Sequence, residues 1–352
     1  MHRTARALVV LVVCSVVAGC SGGSMTAGGA MTTAGGAMTT AGGADQLGDG
    51  AQVTASLEIP AGSTVTIPAG ANITAAPGVV ITVRGVLSVA SSDMHARIAT
   101  AAPSPDQAHS WGGIVVESGG RLDADGLDLA GAATALTVNA GSLGARYDDG
   151  TITDAQVPFQ IAVAARLDTK HAAVVNAGDA SSIAGEFHAS YLDYDTSSSV
   201  VAGLLMTDPT AIFDATDSTF HGTANAGNDY IVSDASSLVH VAYSTITDAH
   251  CAFHFNAVTR FEIDHVTAGA SSPAGPGSGV IYGAMLYGSG AGPNVISNSN
   301  FMGAQVAFDQ ESTNGPLTIS NTFAQGRISI LPTSTWLPAD VAPAPISDAK
   351  PR

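Results

Sequence analysis

Residues 57–73 read LEIPAGSTVTIPAGANI, and residues 79–89 read VVITVRGVLSV. Apolar residues, many of them β-branched, alternate with polar ones over four or five positions, and Gly, Pro, Ser or Asn closes each run. Alternation of this kind is the period of a strand with one buried face, and Gly and Pro punctuate turns. The same grammar continues through Gly113–Val116 and Leu238–Ile246. No segment carries a long run of apolar 3.6-fold periodicity. The body of the chain is therefore expected to be all-β.

A second, longer period organises the strands. Arg121-Leu122-Asp123, Arg166-Leu167-Asp168 and Arg260-Phe261-Glu262 share one triplet, and Ser142-Leu143 and Ser237-Leu238 occupy the same place. The starts step by 21 (121 to 142), 24 (142 to 166) and 23 (237 to 260), and the gap of 71 from Arg166 to Ser237 makes three steps near 24. Asn294-Val295 and Pro316-Leu317 extend the series. A recurrence of about 20–26 positions in all-β sequence is the mark of a solenoid. Coils stacked about 4.8 Å apart over residues 53–331 give roughly 12 turns and about 55–60 Å of length. Within each triplet the Arg and the acid share the outer face, while the Leu or Phe between them points into the core. Asn298, Asn300 and Asn321 fall near turns and are expected to form short amide ladders. The exposed ends of such a coil need covers. Residues 45–56 are expected at one end, with Trp336 and the Pro-rich stretch 332–352 at the other.

The opening stretch, with Ile81–Val89, Trp111-Gly-Gly-Ile-Val-Val116 and Ser244-Thr-Ile-Thr-Asp-Ala249, resembles the turns of bacterial right-handed parallel β-helix proteins of the pectin-lyase-like superfamily. The resemblance implies a single-stranded right-handed parallel β-helix over most of residues 53–330. That superfamily includes pectate lyases, polygalacturonases, epimerases, tailspikes and surface proteins without a known reaction, so the likeness implies a fold and no activity.

The N-terminus reads as an address. His2, Arg3 and Arg6 precede the apolar stretch Ala7–Val17, which has the length of a signal h-region and is too short to span a bilayer. Val17-Ala18-Gly19-Cys20 resembles the bacterial lipobox. This implies a signal peptide over residues 1–19, lipidation of Cys20 and a cell-envelope location, with Ser21 favouring the outer membrane. Several acyl chains on one Cys give stable anchoring, where one gives only marginal binding. Residues 25–44 repeat MTAGGA and MTTAGGA. Within residues 20–52 this Gly-rich segment reads as a flexible tether that sets the body roughly 30 Å from the membrane. Cys14 leaves with the signal, so Cys251 stands alone, beside Ala252 and Phe253, as a buried small hydrophobe.

Charge narrows the partners. The 352 residues carry 12 Lys+Arg against 29 Asp+Glu, a net charge of −17, and only Lys170 and Lys350 are lysines. A nucleic-acid binder must neutralise phosphates with Lys and Arg, so that class is excluded. Uronic-acid polymers are disfavoured on the same ground.

Chemistry is sparse. The polygalacturonase pattern resembles Asn-Thr-Asp, Asp-Asp, Gly-His-Gly and Arg-Ile-Lys. Here only Asp148-Asp149 and an incomplete Arg327-Ile328-Ser329 answer to it. With Ser190, Ala211 and Ser237 as coil starts, Asp193, Asp214 and His240 fall at one offset on consecutive coils, near Asp195 and Asp217. Such a column is open to three readings: a hydrolytic site, a cation site formed by Asp193, Asp195, Asp214 and Asp217 that would take Ca²⁺, or a solvated acidic face. Retaining glycosidases place their carboxyls about 5–5.5 Å apart, which is near one coil spacing. Asp123-Ala-Asp-Gly-Leu-Asp128 superficially resembles a calcium loop but lacks its third acid before Gly and its distant Glu. His250, His254 and His265 are close in sequence, with no spacing that forces them together. His254 alternates with Phe253 and Phe255 and is expected to face outward. No resident cofactor is implied. From Arg260 to Asn294 the step lengthens to 34, with the insertion GASSPAGPGSG at 269–279. Tyr282, Tyr287 and Phe301 nearby are candidates for a sugar-stacking platform. The leading expectation is a non-catalytic surface lipoprotein presenting its coil to a polysaccharide or a surface protein. The alternative is a polysaccharide-cleaving enzyme that uses the Asp193/Asp214 region.

Overall fold

The computed structural model describes residues 47–336, apart from 90–93, 101–108, 197–201, 223–228, 236, 270–280, 289–291, 293 and 312–314, together with 342, 344–347 and 349. The signal segment, Cys20, the tether repeats and most of the insertion at 269–279 lie outside the described residues.

The described body is a parallel β-helix, and no helix occurs among its described residues. Each coil gives one short strand to each of three sheets, here called B, C and A in the order the chain visits them. Sheets B and C have 12 strands each and sheet A has 11, and every strand pairs with the equivalent strand one coil on. All pairings are parallel, as in Arg166–Lys170 beside Glu186–Ser190 and Ile212–Thr216 beside Ser237–Ala242. The alternation read from the sequence is the burial pattern observed. In Thr64–Ile67 and Val80–Val83, Val65, Ile67, Ile81 and Val83 are at most 4% exposed while Thr66 and Thr82 face out. Leu122, Leu167 and Phe261 point inward, as their triplets require.

The corner between sheets A and B turns on two residues. The first adopts a left-handed conformation and the second is buried. The left-handed residue is Gly126, Asp149, His171, Tyr191, Asp217, Tyr243, His265, Asn298 and Asn321 on successive coils. The amide of each but Asn321, on the last coil, donates to the last sheet-A carbonyl of the following coil, as His171 N–H does to Ser190 O at 3.0 Å and Tyr191 N–H to Thr216 O at 3.1 Å. The buried partner is often Ser. The Ser218 hydroxyl accepts the Leu192 amide of the preceding coil at 3.1 Å and donates to Thr216 O at 2.8 Å, and Ser244 and Ser299 repeat the device. A sharp corner can thus be buried without orphaned backbone groups.

The register differs from the expected one in three places. Leu122 aligns with Ala145 and Leu167, so Gly144 is the counterpart of Arg121 and Arg166, and Ser142-Leu143 belongs to the preceding corner, where Leu143 is 72% exposed. Leu238, not Ser237, pairs with Arg260. The three steps after Arg166 run to Glu186, Ile212 and Leu238, or 20, 26 and 26, so Ser190 closes a strand rather than opening a coil. The A–B corner keeps its two residues while the other two connections change in length, and this is what an average period conceals.

Both ends are covered. Leu47 and Ala51 are buried at the first coil. Trp336 packs edge-on to Phe308 at 5.5 Å, and Thr335 bridges to Thr318. The tail then returns over sheet B rather than only over the end. Asn300 exchanges hydrogen bonds with Ile346 at 2.6 and 2.8 Å, and Thr267 donates to Ala349 O. Asn298 and Asn321 form the expected amide ladder at 2.7 Å, but Asn300 is buried in sheet B and serves the tail instead.

Candidate functional site

Sheet A carries the most ordered display of charge. Its central outward column runs Ser88, Asp123, Arg146, Asp168, His188, Asp214, His240, Glu262 on consecutive coils. From Asp123 onward acid and base alternate for seven positions. Strand pairing dictates the stacking, because residues in register lie one strand spacing apart. His240 Nδ1 lies 2.6 Å from Asp214 Oδ1, and His188 Nδ1 lies 3.4 Å from Asp214 Oδ2. His188 Nε2 faces Glu186 Oε2 at 3.4 Å. Asp168 is held by Arg166 of its own strand at 2.7 Å, and Asp123 is held likewise by Arg121 at 2.7 Å. The Arg–acid triplets at 121–123 and 166–168 are therefore surface pairs within one strand, as the sequence implied. Exposed pairs of this kind contribute at most about 1 kcal/mol each.

The hydrogen bond from His240 holds the Asp214 carboxyl below the usual carboxylate range, and Asp214 in turn raises the His240 imidazole, with Glu262 and Asp264 adding to it. A shallow groove of about 310 Å³ lies over the column, lined by Arg146, Asp148, Asp168, Lys170, His188 and Asp214. Asp148 behaves differently from Asp214. Burial pushes its carboxyl up, and Arg146 at 3.0 Å only partly opposes this.

This geometry dissolves most of the predicted acidic column and keeps its centre. Asp214 and His240 are in register, as expected. Asp193 is not with them. It lies in Asp193–Thr196 of sheet B, paired to Ala173 and Thr219, with His221 3.6 Å away. Asp195 follows on the same strand beside His221, and Asp217 stands at the A–B corner. The four acids proposed as a cation site thus occupy two sheets and a corner. Among the described residues no group of three or more His, Cys, Asp or Glu is disposed to hold a metal. The residue stacked on Asp214 where Asp193 was expected is His188. Its signal was the inward Phe187, which matches Phe213 of the following coil.

A second cluster lies on sheet C. His250 Nδ1 and His254 Nδ1 approach the two oxygens of Asp229 at 3.2 and 2.6 Å. His254 Nε2 meets Asn256 Oδ1 at 3.1 Å, and Asn256 Nδ2 donates to Asp234 at 2.7 Å. Burial pushes the Asp229 carboxyl up, but the two imidazoles more than offset it and the net shift is down. The hydrogen bond to Asp229 raises His254. Tyr282 packs edge-on to His250 and Tyr287 edge-on to His254. His254 does face outward between buried Phe253 and Phe255. The spacing of the three histidines forces none of them together, but Asp229, on the preceding coil, gathers His250 and His254. His265 lies elsewhere, beside Asp264 at 2.8 Å and stacked on Tyr243. Phe301 is wholly buried and belongs to no platform. Cys251 is buried, and burial pushes its thiol up.

Comparison with protein-family models, curated proteins and solved structures returned no match. No helix of the described residues is long and apolar enough to cross a membrane.

Proposed function

We propose that this chain is a non-catalytic, lipid-anchored protein of the bacterial cell envelope, held by Cys20 in the outer membrane and presenting a pectin-lyase-like β-helix to glycans or proteins. One observation carries the reading: the acids of the central outward column of sheet A are spread along a face and alternate with bases, instead of converging in a cleft. Asp123, Asp168, Asp214 and Glu262 recur on every second coil, roughly 9.6 Å apart, with Arg146, His188 and His240 between them. A general acid for glycoside cleavage needs a raised pKa and a partner carboxyl at a set distance. Asp214 is lowered. The lipobox-like Val17–Cys20 and the Gly-rich repeats support anchoring at the end of a tether.

The alternative, a polysaccharide-cleaving enzyme, is favoured by Asp148. Its carboxyl is raised by burial at the edge of the sheet-A groove. A glycan array run beside a polysaccharide-degradation screen, with and without Ca²⁺, separates the two. Binding without new reducing ends or unsaturated products is the expected result. Turnover abolished by Asp148→Asn or Asp214→Asn overturns the proposal.

A further inference from the structure

Sheet B carries a trough of about 360 Å³ over its early coils, on a different face from the sheet-A column. Strand register builds it. Arg97, Asp128 and Thr151 stand on consecutive strands, and two residues further along the same strands stand Ala99, Ala130 and Thr153. Neighbours in each column lie about 4.8 Å apart. The two alanines end at Cβ, so they make a low apolar floor. Arg97 and Asp128 rise along one side, and Asp154 rises at the corner between sheets B and C on the other. The floor column carries Val175 on the next coil, so the floor rises there.

The polar groups of this trough are open, unlike the interlocked pairs of the sheet-A column. Among the described residues the Arg97 guanidinium forms no ion pair, and the hydroxyls of Thr151 and Thr153 make no hydrogen bond. Asp128 Oδ1 accepts the Thr151 amide at 3.0 Å and faces His95 Nδ1 at 3.1 Å, which leaves Oδ2 open. Asp154 Oδ1 accepts from Asn176 Nδ2 at 2.6 Å, and its Oδ2 is open as well. A ligand that satisfies this set must accept from Arg97 and donate to two carboxylates. An anion is repelled by Asp128 and Asp154, a cation is repelled by Arg97, and an apolar group leaves all three without partners. A hydroxyl both donates and accepts, so a neutral polyol matches every group. The C–H face of a sugar ring packs on the alanine methyls. The volume falls at the lower end of the roughly 300–1,000 Å³ of small-ligand sites. We infer that Arg97, Asp128 and Asp154, over the Ala99–Ala130 floor, form a binding site for a neutral pyranose unit of a glycan. This rests on the reading of the β-helix as a glycan-binding surface, and names the place and the class of sugar.

The test is saturation-transfer NMR of the full-length chain with methyl glucoside, methyl galactoside and methyl mannoside, with methyl glucuronide beside them. At least one neutral glycoside is expected to bind, and the glucuronide to bind more weakly than it. Ala130→Leu fills the floor and should abolish binding. Arg97→Gln and Asp154→Asn should each weaken it about fivefold or more, the loss of one hydrogen bond. Asn accepts the left-handed conformation of Asp154, so that substitution keeps the turn. Asp248→Asn removes the same charge from the equivalent left-handed corner of a later coil, and should leave binding unchanged. Binding that survives Ala130→Leu, or that falls equally with Asp154→Asn and Asp248→Asn, overturns the trough while leaving a glycan-binding surface in place. A glucuronide that binds more tightly than every neutral glycoside overturns the neutral class. No binding of any of the four overturns the trough, and the glycan array then decides the wider reading by itself.

Discussion

The coils before residue 145 and those after it solve the same geometric problem with different chemistry. In the first group every described left-handed residue is Gly, from Gly50 to Gly144. In the second, Asp, His, Tyr and Asn take those positions on coil after coil. The core divides at the same place. All ten Phe and all seven Tyr lie at residue 147 or beyond, and Trp111 is the only Phe, Tyr or Trp before it. The early coils are filled by Ile, Val and Leu, whereas the later ones carry a chain of rings, such as Phe159, Phe187 and Phe213 with centroids 5.2 and 5.8 Å apart. A Gly corner is cheap and blank. A corner of Asp, His or Tyr costs backbone strain and puts a side chain on the surface. The second group of coils thus bears both the strain and most of the display, including the His-containing part of the sheet-A column and the Asp229 cluster.

The sharpest way to break this comparison is to put a side chain where the early coils cannot take one. Gly113 has φ 90°, and a Cβ there would lie 1.7 Å from the Thr134 carbonyl oxygen. Gly113→Ala is expected to cost more than about 4 kcal/mol, or to prevent folding, as read by thermal unfolding. In the later coils, Phe213→Ala removes a wholly buried ring between Phe187 and Phe220 and should cost about 3–5 kcal/mol. Ile81→Val in the early core should cost only about 0.5–1.5 kcal/mol.

The His–Asp pairs of the later coils make stability depend on pH. His240 and His254 are raised in the folded state, so their contribution is present below the unfolded imidazole value of about 6.5 and fades as pH rises through the folded one. Asp214 and Asp229 are lowered, so theirs is present above about 3.9 and fades as pH falls through the folded value. The melting temperature should therefore be highest between about pH 4 and 6.5, and His240→Gln with His254→Gln should flatten its decline above that window. A double variant whose decline is unchanged would locate the pH dependence elsewhere. The smallest effect is expected at the corner. Tyr191→Gly relieves a strained φ but gives up the stack on His171, so the net change should stay within about 1 kcal/mol.

What was legible in the chain follows from the same physics. Alternation is imposed by strand burial and the longer recurrence by coil circumference, so the fold could be read. Asp214 and His240 were found together because the assumed step, Ala211 to Ser237, equals the true one, Ile212 to Leu238. Asp193 was misplaced because the step before it was taken too short. Counting back from Ala211 to Ser190 gives 21, whereas the strands pair Ile212 with Glu186, a step of 26. Ser190 already ends its sheet-A strand, so an offset of three from it falls in sheet B, and His188 is the true neighbour of Asp214. Asp229 escaped notice because its partners come from the following coil, and no local spacing announces such a contact. The left-handed corners did leave a trace, a polar or aromatic residue before a small or apolar one, as in Asp149-Gly150, His171-Ala172, Asp217-Ser218 and Asn298-Ser299. It is too degenerate to read without the register.

The account turns on whether the acids of sheet A are neutralised by their own neighbours. Following the Asp214 carboxyl and the His240 imidazole by NMR through a pH titration tests this most directly. The account predicts that Asp214 titrates below the ordinary carboxylate range and His240 above 6.5. An Asp214 that holds its proton near neutrality would be a poised general acid, and would contradict the reading of this face as a binding surface.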